Sequence, residues 1–287
     1  MMKHKPFAYF GTPYVARDTL AILVERGFVP SVVVTPPDVA RGRGMELQPC
    51  ETKEWALAHN LPVFTPTKLG KEELETIKSY GCEYAIVVAY GYILPRTLID
   101  AFPLGVLNIH YSLLPKYRGA SPVEGALLNN EKVTGVSIQK MVFELDAGDV
   151  LATKGVAIEP SETTRELRPR LVTTGAELLA EILPAFESGA LEGVPQDHAQ
   201  ATFSGKIAKE EGELSLQGDQ QMNWNKYRAY AESPGTYFFA GREGKRVRVK
   251  IRSARFVNGT FLPERVVPEG KKEMGYEDFL RGGFAPL

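Results

Sequence analysis

Three side chains of different type could do chemistry together in this sequence: Asn108, His110 and Asp146. Asn108 and His110 alternate at the end of an apolar run, so on a strand they point to one face. An Asn amide N–H and a His N–H that converge on one oxygen stabilise the negative charge it gains as a carbonyl carbon becomes tetrahedral. A nearby carboxylate can take the proton lost by an attacking amine, directly or through water, while holding the imidazole charged. With no nucleophilic Cys or Ser in the set, the pattern suggests direct acyl transfer to an amine. Taken singly, each residue also has a structural use: a hydrogen-bonded His at a strand end, an Asn closing a turn, an Asp in an Asx turn.

The trio needs elements to carry it. Residues 105–109 read as a strand bounded by Pro103 and Gly105, and ligands of open α/β sheets bind beyond the carboxyl ends of strands. The chain opens β-α-β: an aromatic strand over 7–10, a helical pattern up to Gly27 with Thr12 as cap and Pro13 in its first turn, then a strand from Ser31 to Val34. A doubly wound α/β sheet is the expectation. Helices over 51–60 and 71–79 and strands over 63–64 and 84–89 continue the parallel pattern. A helix over 121–130, with Ser121 as cap and Pro122 at its first position, follows the organising strand. Residues 135–141, with Val136 and Ile138 alternating against a polar face, and 150–158 read as an antiparallel pair at the sheet edge. A long helix capped by Ser161-x-x-Thr164 is expected to break near Pro169.

Other stretches invite ligands without requiring them. The turn Gly11-Thr12-Pro13 has one glycine where a dinucleotide reader wants three, which discounts NAD and FAD. The polar loop between Thr35 and Cys50, with Arg41 and Arg43 flanking Gly42, can reach a phosphate or be plain solvated loop. The loop Tyr90-Gly91-Tyr92-Ile93-Leu94-Pro95 either packs on a neighbouring helix or bonds a flat heteroaromatic ligand.

A length of 287 residues fits one large domain and one small one, and 44% apolar residues suffice for a real core. The division expected is 1–188, a linker over 189–204 where periodicity fades, and a β-rich module over 205–287. The net charge of −1 conceals an asymmetry. Residues 1–200 carry 19 Lys and Arg against 24 Asp and Glu, whereas 201–287 carry 15 against 11. In 246–252, Arg246, Arg248, Lys250 and Arg252 alternate with Val247, Val249 and Ile251, so a strand would carry four cations on one face. Such a stripe suits a phosphate backbone, or is the solvated face of a half-buried strand. Cys50 and Cys82 lack disulfide or metal-like spacing, and a reducing compartment is expected. Neither a signal-peptide core nor a membrane span is legible.

Asn108-Ile109-His110, Ser112-Leu113-Leu114-Pro115-Lys116-Tyr117-Arg118-Gly119 and Leu145-Asp146-Ala147-Gly148-Asp149 together resemble the signature of the folate-dependent formyltransferases. The resemblance implies a Rossmann-like catalytic domain, Asn108, His110 and Asp146 as catalytic trio, and 10-formyltetrahydrofolate as formyl donor. It implies that Ser112, Leu113, Leu114 and Pro115, with Tyr90, Gly91, Ile93 and Leu94, lie along the folate site. Further segments, among them Phe10-Gly11-Thr12-Pro13 and Gly205-Lys206-Ile207-x-Lys209-Glu210, are similar to the branch of that family acting on methionyl initiator tRNA. That branch implies a small OB-like C-terminal domain, tRNA contacts from Arg41, Arg43, Lys206, Arg246, Arg248 and Lys250, and a monomeric cytoplasmic enzyme without a metal. The part after Ile251 is shorter than the usual C-terminal domain, which implies a trimmed barrel. The alternatives are an N-formyltransferase for an amino-sugar nucleotide and a non-catalytic RNA-binding protein.

Overall fold

The computed structural model describes residues 4–41, 45–242 and 244–287, and of Arg41 the backbone alone. In chain order the elements begin with β1 (Phe7–Gly11), α1 (Tyr14–Glu25), β2 (Val32–Val34), β3 (Val39–Arg41), β4 (Glu46–Gln48), α2 (Glu51–Ala58), β5 (Val63–Phe64), α3 (Lys71–Ser79) and β6 (Tyr84–Val88). They continue with α4 (Arg96–Ile99), β7 (Gly105–His110), β8 (Arg118–Gly119), α5 (Pro122–Leu128), β9 (Val133–Lys140), β10 (Val150–Ala157) and α6 (Thr164–Glu187). The last are β11 (Phe203–Ser204), α7 (Gln220–Ala229), β12 (Tyr237–Arg242), β13 (Lys245–Val257), β14 (Thr260–Pro268), β15 (Met274–Gly275), α8 (Tyr276–Arg281) and β16 (Ala285–Pro286).

Two compact units result. The first comprises residues up to Arg118, Gly135–Val156 and Pro169–Phe203; the second comprises Gly119–Thr134, Ala157–Arg168 and Ser204–Leu287. Nearly all of the 189–204 stretch, expected to be a linker, therefore belongs to the first unit, and the second also takes in 119–134 and 157–168.

The first unit is built on a seven-stranded sheet in the order β10-β9-β7-β6-β1-β2-β5. Neighbours from β5 to β7 pair in parallel, and β9 pairs antiparallel to β7. The parallel strands β1, β2 and β6 are buried along their whole length, the pattern of strands covered on both faces. Phe10, Val34, Val87, Val106, Ile77 and Leu98 meet in one core cluster.

Three local expectations are corrected. Thr12 does not cap α1, whose N-cap is Pro13 without a side-chain bond; its hydroxyl donates instead to the carbonyl of Tyr90. The stretch after Thr35 contains an antiparallel hairpin, β3 against β4, rather than loop throughout. The long helix α6 does not break: it runs through Pro169 and Pro184. Each proline removes one backbone donor, and the buried stripe Leu171, Val172, Ala176, Leu179 and Leu183 offsets that loss.

The second unit carries a five-stranded sheet in the order β15-β14-β13-β12-β16, with β12 to β16 joined antiparallel. Its core gathers Trp224, Phe238, Val249, Ile251, Phe261, Val266 and Phe279.

Candidate active site and nucleic-acid interface

The register of β7 against β9 sets Asn108 opposite Gln139 and His110 opposite Ser137. Directly opposed residues share a sheet face, so this one carries four polar side chains. Ser137, His110 and Gln139 are buried, at 0%, 5% and 1% exposure. Ser137 Oγ donates to the carbonyl of Ser112 (2.7 Å) and accepts from the backbone N–H of Leu114 (3.0 Å). It thereby ties the Ser-Leu-Leu-Pro loop to β9. Asn108 is half-buried, and its side chain has no hydrogen-bond partner among the described residues.

His110 is engaged at both ring nitrogens. Nε2 lies 2.9 Å from the carbonyl oxygen of Tyr117. A carbonyl can only accept, so Nε2 carries a proton. Nδ1 faces Asp146 Oδ2 at 3.6 Å, an ion-pair separation rather than a hydrogen bond. Amide, imidazole and carboxylate, separated along the chain, are thus brought together at the end of β7.

Asp146 sits in the loop between β9 and β10, at φ +48°, in the left-handed region that side chains other than Asn and Asp seldom adopt. Two glutamines hold it there. Gln139 Nε2 donates to Asp146 Oδ1 (2.9 Å). Gln196 Nε2 donates to the carbonyls of Asp146 (2.8 Å) and Gly148 (2.7 Å), while its Oε1 accepts from Arg118 Nη2 (2.6 Å) and Nε (3.1 Å). At Gly148 a Cβ would collide with the carbonyl of Lys140, so only glycine lets the loop pack so closely on β9. Alternation in 135–141 revealed the polar face of β9, but no local signal pointed to Gln196, which lies in a stretch without periodicity.

The residues read as lining the folate site divide into two sets. Tyr90 and Leu94 are buried in the core cluster, and the Tyr90 hydroxyl, pushed to a higher pKa chiefly by burial, has no hydrogen-bond partner among the described residues. Gly91 takes φ +84° and Ile93 is 85% exposed. Ser112 is buried with its hydroxyl on the carbonyl of Lys116 (2.6 Å), and Leu113, Leu114 and Pro115 are half-buried. Phe143 and Leu145 are exposed apolar residues of the Asp146 loop, and Phe143 lies outside the segments on which the resemblance rests.

Of the cations assigned to tRNA, Arg43 lies outside the described residues, and Arg41 ends β3. Lys206 is exposed in the first residues of the C-terminal segment of the second unit. The alternation in β13 points Val247, Val249 and Ile251 to the core and Arg246, Arg248, Lys250 and Arg252 away from it. Arg248 stacks on Tyr237 and Arg246 on Phe239, each 3.6 Å from the ring centre. Beside them lies a cleft of about 480 Å³ whose lining includes Arg165, Trp224, Tyr227, Tyr237, Arg248 and Lys250. Glu166 and Glu232 also line it, so its charge is not of one sign. Arg165, on the first turn of α6, escaped the sequence reading because it stands outside the β13 stripe. Among the described residues no helix is long and apolar enough to cross a membrane, and no group of three His, Cys, Asp or Glu could hold a metal ion.

Residues 8–183 match the family model described as formyl transferase. The chain is 39% identical over 270 residues to the methionyl-tRNA formyltransferase of Sulfurihydrogenibium sp. (strain YO3AOP1), covering 92% of this chain and 85% of that protein. The chain belongs to the methionyl-tRNA formyltransferase family. Solved structures of formyltransferases share its fold at lower identity. The methionyl-tRNA formyltransferase from Clostridium thermocellum superposes with a TM-score of 0.60 at 16% identity, over 93% of this chain and 99% of that one. The N-formyltransferase from Helicobacter canadensis, solved with folinic acid and dTDP-3-aminofucose, gives 0.63 at 16% identity, over 94% and 98%. Fold alone does not separate a methionyl-tRNA formyltransferase from a sugar formyltransferase; the sequence relationship does.

Proposed function

We propose that the chain transfers a formyl group from 10-formyltetrahydrofolate to the α-amine of methionyl initiator tRNA, by direct attack of the amine on the formyl carbon. The reading is carried by the meeting of Asn108, His110 and Asp146, with 3.6 Å between His110 Nδ1 and Asp146 Oδ2. The Asn108 amide, with no protein partner of its own among the described residues, donates to the oxygen that gains charge. His110 adds positive charge beside it when both ring nitrogens are protonated, held by the Tyr117 carbonyl on one side and Asp146 on the other. Asp146 takes the proton that the amine gives up on attack. The formyl C–N bond to the folate then breaks, and the folate nitrogen leaves with a proton.

The donor's flat ring suits the loop of Tyr90 and Gly91, where a buried phenol has no hydrogen-bond partner among the described residues and Ile93 offers an exposed apolar surface. Gly91, at φ +84°, lets the backbone come close, and the Ser112–Pro115 loop, tied to β9 by Ser137, is the other segment we assign to the donor. On the acceptor side, the cations and rings of β12 and β13 suit phosphates and stacked bases. Lys206, Arg41 and Arg43 are the further cations proposed to contact tRNA, each taken from the sequence. A cytoplasmic location and a monomeric enzyme complete the reading.

Formyl-transfer assays with two acceptors test it. Methionyl initiator tRNA is expected to be formylated and an aminodeoxysugar nucleotide to be left unmodified. Asp146→Asn is expected to lower turnover by about 10²-fold or more, the scale of a lost general base. Near-normal turnover by this variant would take Asp146 out of the mechanism, and preference for the sugar nucleotide would overturn the acceptor.

A further inference from the structure

Gln139 is almost fully buried, yet only half of its amide is satisfied. Nε2 donates to Asp146 Oδ1 at 2.9 Å, whereas Oε1, out of reach of water, has no partner among the described residues. A buried acceptor left unpaired is a stability cost that an apolar side chain of the same length would avoid. A cost of this kind at one wall of a reaction site calls for a compensating use. The satisfied half supplies it, because the bond made is to the carboxylate that faces His110.

We propose that Gln139 is a positioning residue for formyl transfer. Its N–H fixes the rotation of the Asp146 carboxylate, so that Oδ1 points to β9 and Oδ2 toward His110. The inference rests on the reading that Asp146 accepts the amine's proton. The backbone of the loop has its own restraint in Gln196, which bonds the carbonyls of Asp146 and Gly148. Backbone placement and carboxylate rotation are therefore held by separate residues. Loss of the Gln139 amide removes the bond on Oδ1 and leaves the Gln196 bonds to the loop backbone in place. Gln139 touches no reacting atom in this arrangement; it acts through Asp146.

The test compares Gln139→Met, apolar and of similar length, with Gln139→His, which keeps an N–H donor. Gln139→Met is expected to lower kcat about tenfold, the scale of one hydrogen bond to a charged group. KM for both substrates should stay unchanged and the melting temperature should be equal or higher, since an unpaired acceptor has gone. Gln139→His should retain more of kcat than the Met variant. Wild-type kcat in Gln139→Met overturns the proposal, as does a fall in kcat that merely tracks a fall in melting temperature. Asp146→Asn, measured alongside, separates the two readings. If it keeps full turnover, the role of Asp146 fails; if it is inactive while Gln139→Met is fully active, only the role of Gln139 fails.

Discussion

At the scale of single residues the site is defined by which polar atoms are already committed. With Nε2 of His110 held by the Tyr117 carbonyl and Nδ1 turned to Asp146, the member of the trio without a hydrogen-bond partner among the described residues is Asn108. On the proposed reading, Asn108→Ala is expected to reduce the single-turnover rate by ~10²–10³-fold with little change in KM, as for loss of one oxyanion donor. A single-turnover rate within a factor of two of wild type would assign the oxyanion to another donor. Asp146 and Tyr117 both take positive φ, +48° and +59°, and both touch His110, so backbone strain gathers around the imidazole. Asn tolerates this backbone region nearly as well as Asp. Asp146→Asn is for that reason a probe of charge with little disturbance of shape. The residue types of the trio were legible in the sequence because Asn and His are poor choices for the end of a buried strand. Their hydrogen-bond commitments were not, since these depend on the carbonyl of Tyr117, a backbone atom with no signature of its own.

At the scale of elements, the glycine of the Asp146 loop makes a sharper prediction than any polar residue in it. Gly148→Ala must push the loop off Lys140, because its Cβ has no room. The variant is expected to lose about 1–3 kcal/mol of stability as an overpacked site, and turnover should fall with it. Chemical denaturation and the formylation assay together check this; unchanged values of both would mean that the loop packs elsewhere. Elements with a clean period were read closely, as with α3 over 71–79 and β7 from Gly105. The misreadings have physical causes. Pro169 signals a break locally, but a buried stripe one helix-length long outweighs one missing donor. The alternation marks only 246–252, whereas β13 is one strand of 13 residues. Core-facing positions step from Ile251 to Ala254, three residues instead of two, and a register shift at Ser253 absorbs the extra one.

At the scale of the molecule, the small net charge of −1 hides a basic C-terminal part whose cations stand on one strand face. If that face meets phosphates, tRNA affinity should fall steeply with salt. Replacing Arg246, Arg248 and Lys250 together by Ala should flatten the plot of log affinity against log salt by about one unit for each phosphate that is no longer neutralised. Turnover at saturating tRNA should change little. An unaltered slope in a filter-binding titration would return the stripe to the role of a solvated strand face. The basic character was legible from residue counts, but the stacking of Arg246 and Arg248 on Phe239 and Tyr237 required the pairing of β12 with β13.

The place of Gln196 bears on how this chain could be divided. A fragment cut at residue 188 would retain Asn108, His110 and Asp146, and all seven strands of the first sheet. It would nonetheless part with the strut that Arg118 braces against the carbonyls of Asp146 and Gly148. The shortest piece able to keep its acid loop in working order therefore extends past 196, into the stretch that a designer would first replace with a tether.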